Sequence, residues 1–275
     1  MGALKGDLTI KGIDFIESTC NNDANILSGK RDTPFGYLGE DITYTSIINY
    51  NGLEITTPQQ YSKLLIESFN KYGREYGLDS NILAAQAYQE SSFRPWNYSS
   101  GNAMGVSQFI PISAYDVLIN NPATKKDFSS EELGKLLNGL VDPIYKNKRY
   151  WKLPLGNSQT EDQQVRNNVN QVFENLRNNP DLCIKMQASY MRFISLNNNG
   201  LASSTLMAYN RGGYYRSKTY GGMINNVING KTKIEEGANY VERIFRNLGN
   251  SFGYEDMIDF NIIDITKNSK PLFLE

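Results

Sequence analysis

Residues 84–114 read AAQAYQESSFRPWNYSSGNAMGVSQFIPISA, and the reading of the whole chain turns on them. The first residues are the apolar end of a helix. Glu90 closes it, and a loop rich in Gly, Ser, Asn and Pro follows, carrying Phe93, Pro95, Trp96 and Tyr98. From Ser91 to Tyr115 there is no other Asp or Glu; the next is Asp116. Aromatic neighbours remove water from a lone carboxylate and favour its neutral form. A carboxylic acid held neutral near working pH can give a proton to a leaving-group oxygen. The same residues also suit a solvated glutamate at a helix end, where Glu is common.

Helical signals surround this stretch. Thr57-Pro58-Gln59-Gln60 is a capping-box start with Pro at the first helical position, and Tyr61, Leu64, Leu65, Phe69, Tyr72 and Tyr76 form its apolar stripe up to Gly77. Asp79 caps the helix that ends at Glu90. Further helices are expected from Asn179-Pro180 through Phe193, over Leu201–Tyr209, and from Thr232 to Leu248 with Gly249 as its stop. Residues 121–178 are polar and rich in Asn, Lys and Gln, with a weak helical stripe from Gln163 to Leu176. The first 56 residues differ. Leu8 to Phe15 reads as a β-prone run broken by Gly12, and Asn51-Gly52 between β-prone runs is a strong hairpin signal. The fold expected is mainly α, with a small β-containing N-terminal arm (1–56), a main domain (57–250) and a C-terminal extension (251–275).

Composition narrows the chemistry. Hydrophobic residues make up 40% of the 275, enough for a packed core. Lys and Arg number 28 against 29 Asp and Glu, a net charge of -1, so a general nucleic-acid binder is not expected. The absence of histidine removes Ser-His-Asp and Cys-His nucleophiles and HExxH zinc sites. Cys20 and Cys183 form no CxxC pair and leave one bridge open. No metal and no cofactor are expected. The opening MGALKGDLTIKG has no apolar core of signal-peptide length, and no stretch reaches the ~18 apolar residues of a membrane span, so neither a signal peptide nor membrane insertion is expected.

The stretch resembles the catalytic core of the soluble-type lytic transglycosylases, lysozyme-like relatives of goose-type lysozyme. The positions that carry the resemblance are Glu90-Ser91, Phe93, Pro95, Ser99, Gly105-Val106-Ser107-Gln108 and Pro111-Ile112-Ser113-Ala114, ungapped from Glu90 to Ala114. Met207-Ala208-Tyr209-Asn210-Arg211-Gly212-Gly213 is similar to the family's Ala-Tyr-Asn-Ala-Gly motif, and Glu236 to Ile244 resembles its closing helix. Departures are Val106-Ser107 for Leu-Met, Ile110 for a Met, and Cys183 and Gln187 where Asn and Gly are usual. The long spacing from Glu90 to Tyr209 makes 121–178 an expected insertion that walls the cleft.

The resemblance implies cleavage of the β-1,4 bond between N-acetylmuramic acid and N-acetylglucosamine in peptidoglycan. Glu90 acts as sole acid and then base, and a 1,6-anhydro ring forms. It also implies that Tyr209 orients Glu90, and that Ser91, Ser99, Gln108 and Asn210 hydrogen-bond the sugars. Ser91 and Ser99 equally suit caps or turns. Tyr88, Phe93, Trp96 and Tyr98 suit core or sugar platforms, as Tyr214, Tyr215 and Tyr220 suit stacking or a surface turn. Goose-type hydrolysis is the runner-up, because a distant acid from the arm or insertion can complete a carboxylate pair. A wall-binding or virion structural protein without turnover is the second alternative. Peptidoglycan glycan strands are the expected partner, with phage tail or virion proteins for the terminal arms. The expected setting is a virion-associated or released phage protein acting on the cell wall in the periplasm.

Overall fold

The computed structural model describes residues 6–33, 36–43, 48–50, 52–99, 101–139, 163–196, 202–211 and 235–254. Helices dominate. In chain order they are α1 (Ile10–Asn22), α2 (Pro58–Tyr76), α3 (Ser80–Ser91), α4 (Pro111–Tyr115), α5 (Pro122–Lys125), α6 (Ser130–Leu137), α7 (Gln163–Asn178), α8 (Pro180–Leu196), α9 (Ala202–Arg211) and α10 (Glu235–Phe252). A turn of π-helix, Asp116–Asn120, continues α4. The strands are short: β1 (Asp32–Thr33) pairs antiparallel with β2 (Gly36–Tyr37), and β3 (Ile48–Tyr50) with β4 (Leu53–Ile55). No helix among the described residues is long and apolar enough to cross a membrane.

Most local signals act as expected. Ile48 pairs with Ile55 and Tyr50 with Leu53, so β3 and β4 form a hairpin, with Gly52 at φ +79°; Asn51 lies outside the described residues. Thr57 Oγ1 accepts from the Gln60 N–H while Gln60 Oε1 accepts from the Thr57 N–H, closing the capping box of α2. That helix ends in a Schellman motif: the Leu78 N–H reaches the Gly73 carbonyl, the Gly77 N–H reaches that of Arg74, and Gly77 takes φ +64°. Asp79 Oδ1 accepts from the Asn81 N–H and starts α3.

Two glycines depart from the expected reading. Leu8–Phe15 is not a strand broken at Gly12: α1 begins at Ile10 and runs straight through the glycine. Gly12, Ile16 and Cys20 are buried at four-residue spacing, and Thr9 Oγ1 caps the helix by accepting from the Gly12 N–H. A Cβ on Gly12 would lie 2.7 Å from Phe252 Cδ1, so the glycine permits close packing rather than breaking a strand. Likewise α10 does not stop at Gly249. It continues to Phe252, and Gly253 at φ +80° supplies the left-handed stop. Thr232, expected in the α10 capping box, lies outside the described residues.

The chain forms two compact units. The first comprises Met1–Ile16, Phe69–Gln89 and Gln187–Glu275. Within it α9 packs on α10, and Phe15 meets Tyr88 and Phe252 edge-on at 4.8 and 5.4 Å between ring centres. A relay of buried polar groups runs through it: Gln187 Nε2 donates to the Leu83 carbonyl and to Gln86 Oε1, and Gln86 Nε2 donates to Tyr240 Oη. Gln187, where the family usually has Gly, is thus a bridge between α3 and α8. Tyr240 of the third motif serves the same frame.

The second unit comprises Glu17–Ser68 and Glu90–Met186. Here α6 packs on α7, and Asn175 Nδ2 donates to the Leu136 and Asn138 carbonyls. The weak stripe of 163–178 forms α7, burying Val169, Val172, Phe173 and Leu176. Arg177 is 0% exposed. Its Nη2 donates to the Asp32 carbonyl, and its guanidinium lies 5.3 Å from the Phe173 ring centre and 5.9 Å from that of Trp96. Burial pulls its pKa down, and the charges of Glu174 and Asp32 oppose that. Cys20 and Cys183 are both free and buried; the bridge left open by the sequence is not made. Burial raises the two thiols, to about 12 and about 11.

Candidate active site

Glu90 occupies the last turn of α3 and is half-buried. The backbone behind it is held in an unusual state. Ser92 and Phe93 take φ +54° and +65°, a left-handed pair that costs bulky residues on the order of 1–3 kcal/mol each. The surroundings enforce it. Phe93 is fully buried, its carbonyl accepts from the buried Tyr61 hydroxyl at 2.6 Å, and the Arg94 N–H returns to the Ser91 carbonyl. The chain therefore leaves the helix abruptly, and Glu90 stands at the start of a fixed loop. Phe93 is core; Trp96 is 5% exposed.

Ser91 is 4% exposed, and its hydroxyl donates to the Val106 carbonyl at 2.7 Å. It ties the glutamate's helix to the Gly105–Gln108 block. Ser99 closes the turn at Gly101: its Oγ accepts from the Ala103 N–H, and its own N–H donates to the Ala103 carbonyl. Gln108 sits at φ +50° and is half-buried, with Nε2 donating to the Asn97 carbonyl at 3.1 Å and the Gly105 carbonyl at 2.8 Å. Both amide hydrogens thus serve the loop. Ser107 turns the other way, into the core against the Cys183 carbonyl.

Gly105 has φ +73°, and a Cβ there would lie 3.1 Å from Cys183 Sγ. Gly105→Ala is expected to cost about 1–3 kcal/mol, read as a lower urea midpoint. Adding Cys183→Ala should recover the steric part and leave the backbone part. The usual Asn at position 183 gives way to a compact thiol against this glycine.

The remaining predicted residues belong to the first unit. Tyr209 and Asn210 are half-exposed on α9. The Tyr209 ring lies 5.6 Å from that of Tyr190 at 57°, and Asn210 Oδ1 is buried with no hydrogen-bond partner among the described residues. Tyr214, Tyr215, Tyr220 and the glycines at 212 and 213 lie outside the described residues. No cluster of three or more Cys, Asp or Glu that could hold a metal occurs among the described residues.

Sequence reasoning missed one feature of the second unit. A cavity of ≈590 Å³ opens between arm residues 25–42 and loop residues 94–98. Lys30, Asp32, Asp41 and Arg94 are among its lining residues, with Trp96 and Tyr98. Arg94 is engaged with Asp23 at 2.7 Å. Nothing in the linear spacing places the arm beside this loop; the small residue Gly29, whose Cβ would meet Trp96 Cβ at 3.2 Å, is the one local clue.

Residues 67–129 match the family model of the transglycosylase SLT domain. The chain is also 30% identical over 149 residues to the membrane-bound lytic murein transglycosylase F of Haemophilus influenzae (strain PittEE), a match covering 53% of this chain. It covers only 29% of that relative's length. No solved structure matches the chain. The stretch similar to the transglycosylase SLT domain thus encloses Glu90, the strained turn behind it and the loop through Gln108.

Proposed function

We propose that the chain cleaves the β-1,4 bond between N-acetylmuramic acid and N-acetylglucosamine of peptidoglycan as a lytic transglycosylase, with Glu90 as its one acid and base. The observation that carries this reading is Glu90 itself. It is half-buried at a helix end inside the matched domain, with a backbone turn locked behind it by Phe93 and Tyr61. The Glu90 carboxylic acid gives its proton to the glycosidic oxygen, and the bond from that oxygen to C1 of the muramic sugar breaks. The sugar's own acetamido oxygen shares the positive charge at C1. The Glu90 carboxylate then takes the proton of the C6 hydroxyl, and O6 bonds to C1. The proton count returns to its start and no water enters the product.

The loop supplies neutral partners for a neutral glycan. Gln108, with its amide hydrogens spent on the loop, keeps Oε1 for a sugar N–H or hydroxyl. Ser99 retains its hydroxyl hydrogen. Ser91 serves through its brace to Val106, and Tyr209 and Asn210 enter as the supporting residues that the resemblance implies.

Hydrolysis is the second reading. Hydrolysis requires a second carboxylate, and Asp32 and Asp41 of the arm line a cavity with Arg94, Trp96 and Tyr98, in the same unit as Glu90. Mass spectrometry of digested sacculi separates the outcomes. The lytic reading expects 1,6-anhydromuramyl ends. Reducing ends would transfer the activity to hydrolysis, and no soluble product would leave a wall-binding or virion structural protein. Docking of the terminal arms to phage tail or virion proteins belongs to the same proposal; both arms lie outside the matched 67–129, and co-purification with particles tests it.

A further inference from the structure

We propose that the arm is part of the active site: through Arg94 and Trp96 it fixes the loop that holds Gln108, which makes Asp23 and Gly29 positioning residues for sugar binding. The inference rests on the glycan reading above and adds to it residues far from Glu90 in the chain. All of them belong to the second unit. The arm is itself anchored. Gly29 and Ile42 exchange backbone hydrogen bonds at 3.1 and 2.7 Å, Arg31 pairs with Glu174 of α7 at 3.0 Å, and the fully buried Arg177 donates to the Asp32 carbonyl at 3.0 Å.

This anchored arm meets the loop at two points. At the first, Arg94 Nε donates to Asp23 Oδ2 at 2.7 Å, while Asp23 Oδ1 accepts from the Asn25 N–H. Burial alone would raise the Asp23 carboxyl; the Arg94 hydrogen bond, the Asn25 N–H and the Arg94 charge outweigh it and hold the group below its ordinary 3.8. At the second, Gly29 lies against Trp96, where a Cβ would stand 3.2 Å from Trp96 Cβ. Trp96 is 5% exposed, and its indole N–H is buried without a hydrogen-bond partner among the described residues. Packing therefore sets its place, against Gly29 and with the Arg177 guanidinium 5.9 Å from its ring centre.

Asn97 comes next in the chain, and its carbonyl is where the loop takes hold of Gln108. One Gln108 amide hydrogen goes to the Gly105 carbonyl within its own turn at 2.8 Å; the other crosses to Asn97 at 3.1 Å. The carboxamide is planar, so these two donors fix where Oε1 points. Displacing residues 94–97 removes one of the two and lets Oε1 swing. The turn behind Glu90 has a different support, the Tyr61 hydroxyl on the Phe93 carbonyl. The arm therefore acts on glycan affinity and leaves that brace in place.

Calorimetric titration of the full chain with the uncharged N-acetylglucosamine tetramer tests this, each chain carrying Glu90→Gln so that no turnover intrudes. Gln108→Ala should weaken binding about three- to tenfold, the worth of one neutral hydrogen bond. Gly29→Val drives a methyl group toward Trp96, and Arg94→Glu sets two carboxylates together; each should approach the same loss. Arg94 is exposed, so its variant keeps the fold if Gly29→Val does not. Combined with Gln108→Ala, neither should add a loss beyond about twofold, because both act through that one side chain. A purely structural role for the arm would lower the urea midpoint and leave the affinity of the folded chain alone. Wild-type affinity in either folded variant, or losses that add to that of Gln108→Ala, overturn the proposal while anhydro products still uphold the cleavage reading. The expected pattern in a chain that yields no anhydro product upholds the arm's role and removes only that reading. No tetramer binding by any chain overturns the proposal.

Discussion

Glu90→Gln is expected to abolish glycan cleavage while the protein stays folded. The substitution keeps the shape and hydrogen-bonding length of the side chain and removes the one proton the reaction needs. General acid-base catalysis by a positioned side chain contributes about 10²–10⁴-fold, and in the proposed reaction one group performs both proton transfers. The loss should therefore fall on turnover, with substrate binding retained. Release of soluble muropeptides from sacculi, alongside a thermal melt followed by circular dichroism, reads the two effects separately. Near-normal release by Glu90→Gln would remove Glu90 as the acid. The neighbouring backbone sharpens the expectation: Ser92 and Phe93 are held left-handed by burial and by the Tyr61 hydroxyl, contacts that Glu90→Gln leaves in place.

The second large effect concerns stability. Lys185 Nζ, with its side chain 8% exposed, donates to both oxygens of Glu132 at 2.8 and 2.9 Å. Glu132 also closes the capping box of α6, accepting from the Ser129 N–H while its own N–H donates to Ser129 Oγ. Glu132→Ala takes the carboxylate from a buried ammonium and opens the cap together. Removing one partner of a buried pair costs about 3–5 kcal/mol. The glutamate side chain is 21% exposed, and that exposure brings the expectation to about 2–4 kcal/mol. Lys185→Met should cost less, since it leaves no ammonium in the core.

The same pair sets an acid limit. Burial alone would raise the Glu132 carboxyl; hydrogen bonds from Lys185 and the Ser129 backbone outweigh it and hold the group below its ordinary 4.5. A depressed carboxyl stabilises the fold above its unfolded value, and that stability is lost as pH falls through the folded one. Urea midpoints should therefore drop below about pH 4.5 in wild type and drop less steeply in Glu132→Gln. Equal slopes would show that the pair contributes nothing.

Much of this molecule is written locally. The capping box at Thr57 and Gln60, the Asp79 cap, the Gly77 stop and the Asn51-Gly52 hairpin each depend on dihedrals and hydrogen bonds spanning a few residues, and each is legible without a structure. Glu90 is different: the residues around it suit a solvated helix-end glutamate as well, and only the resemblance from Glu90 through Ala114 singles it out as the proposed acid.

What only the tertiary structure decided involves partners distant in the chain. Gly12 is a contact point because Phe252 packs on it, 240 positions away by subtraction of their numbers, so its β-prone neighbours become a helix. Gly249 passes as a helical residue, and Gly253 ends α10 instead. Gln187 stands at a usual Gly position because Leu83 and Gln86 receive its hydrogens. The charged cavity exists because Gly29 lets the arm lie against Trp96. Local sequence sets which backbone states are cheap; burial of side chains brought together from far apart decides which of them is occupied.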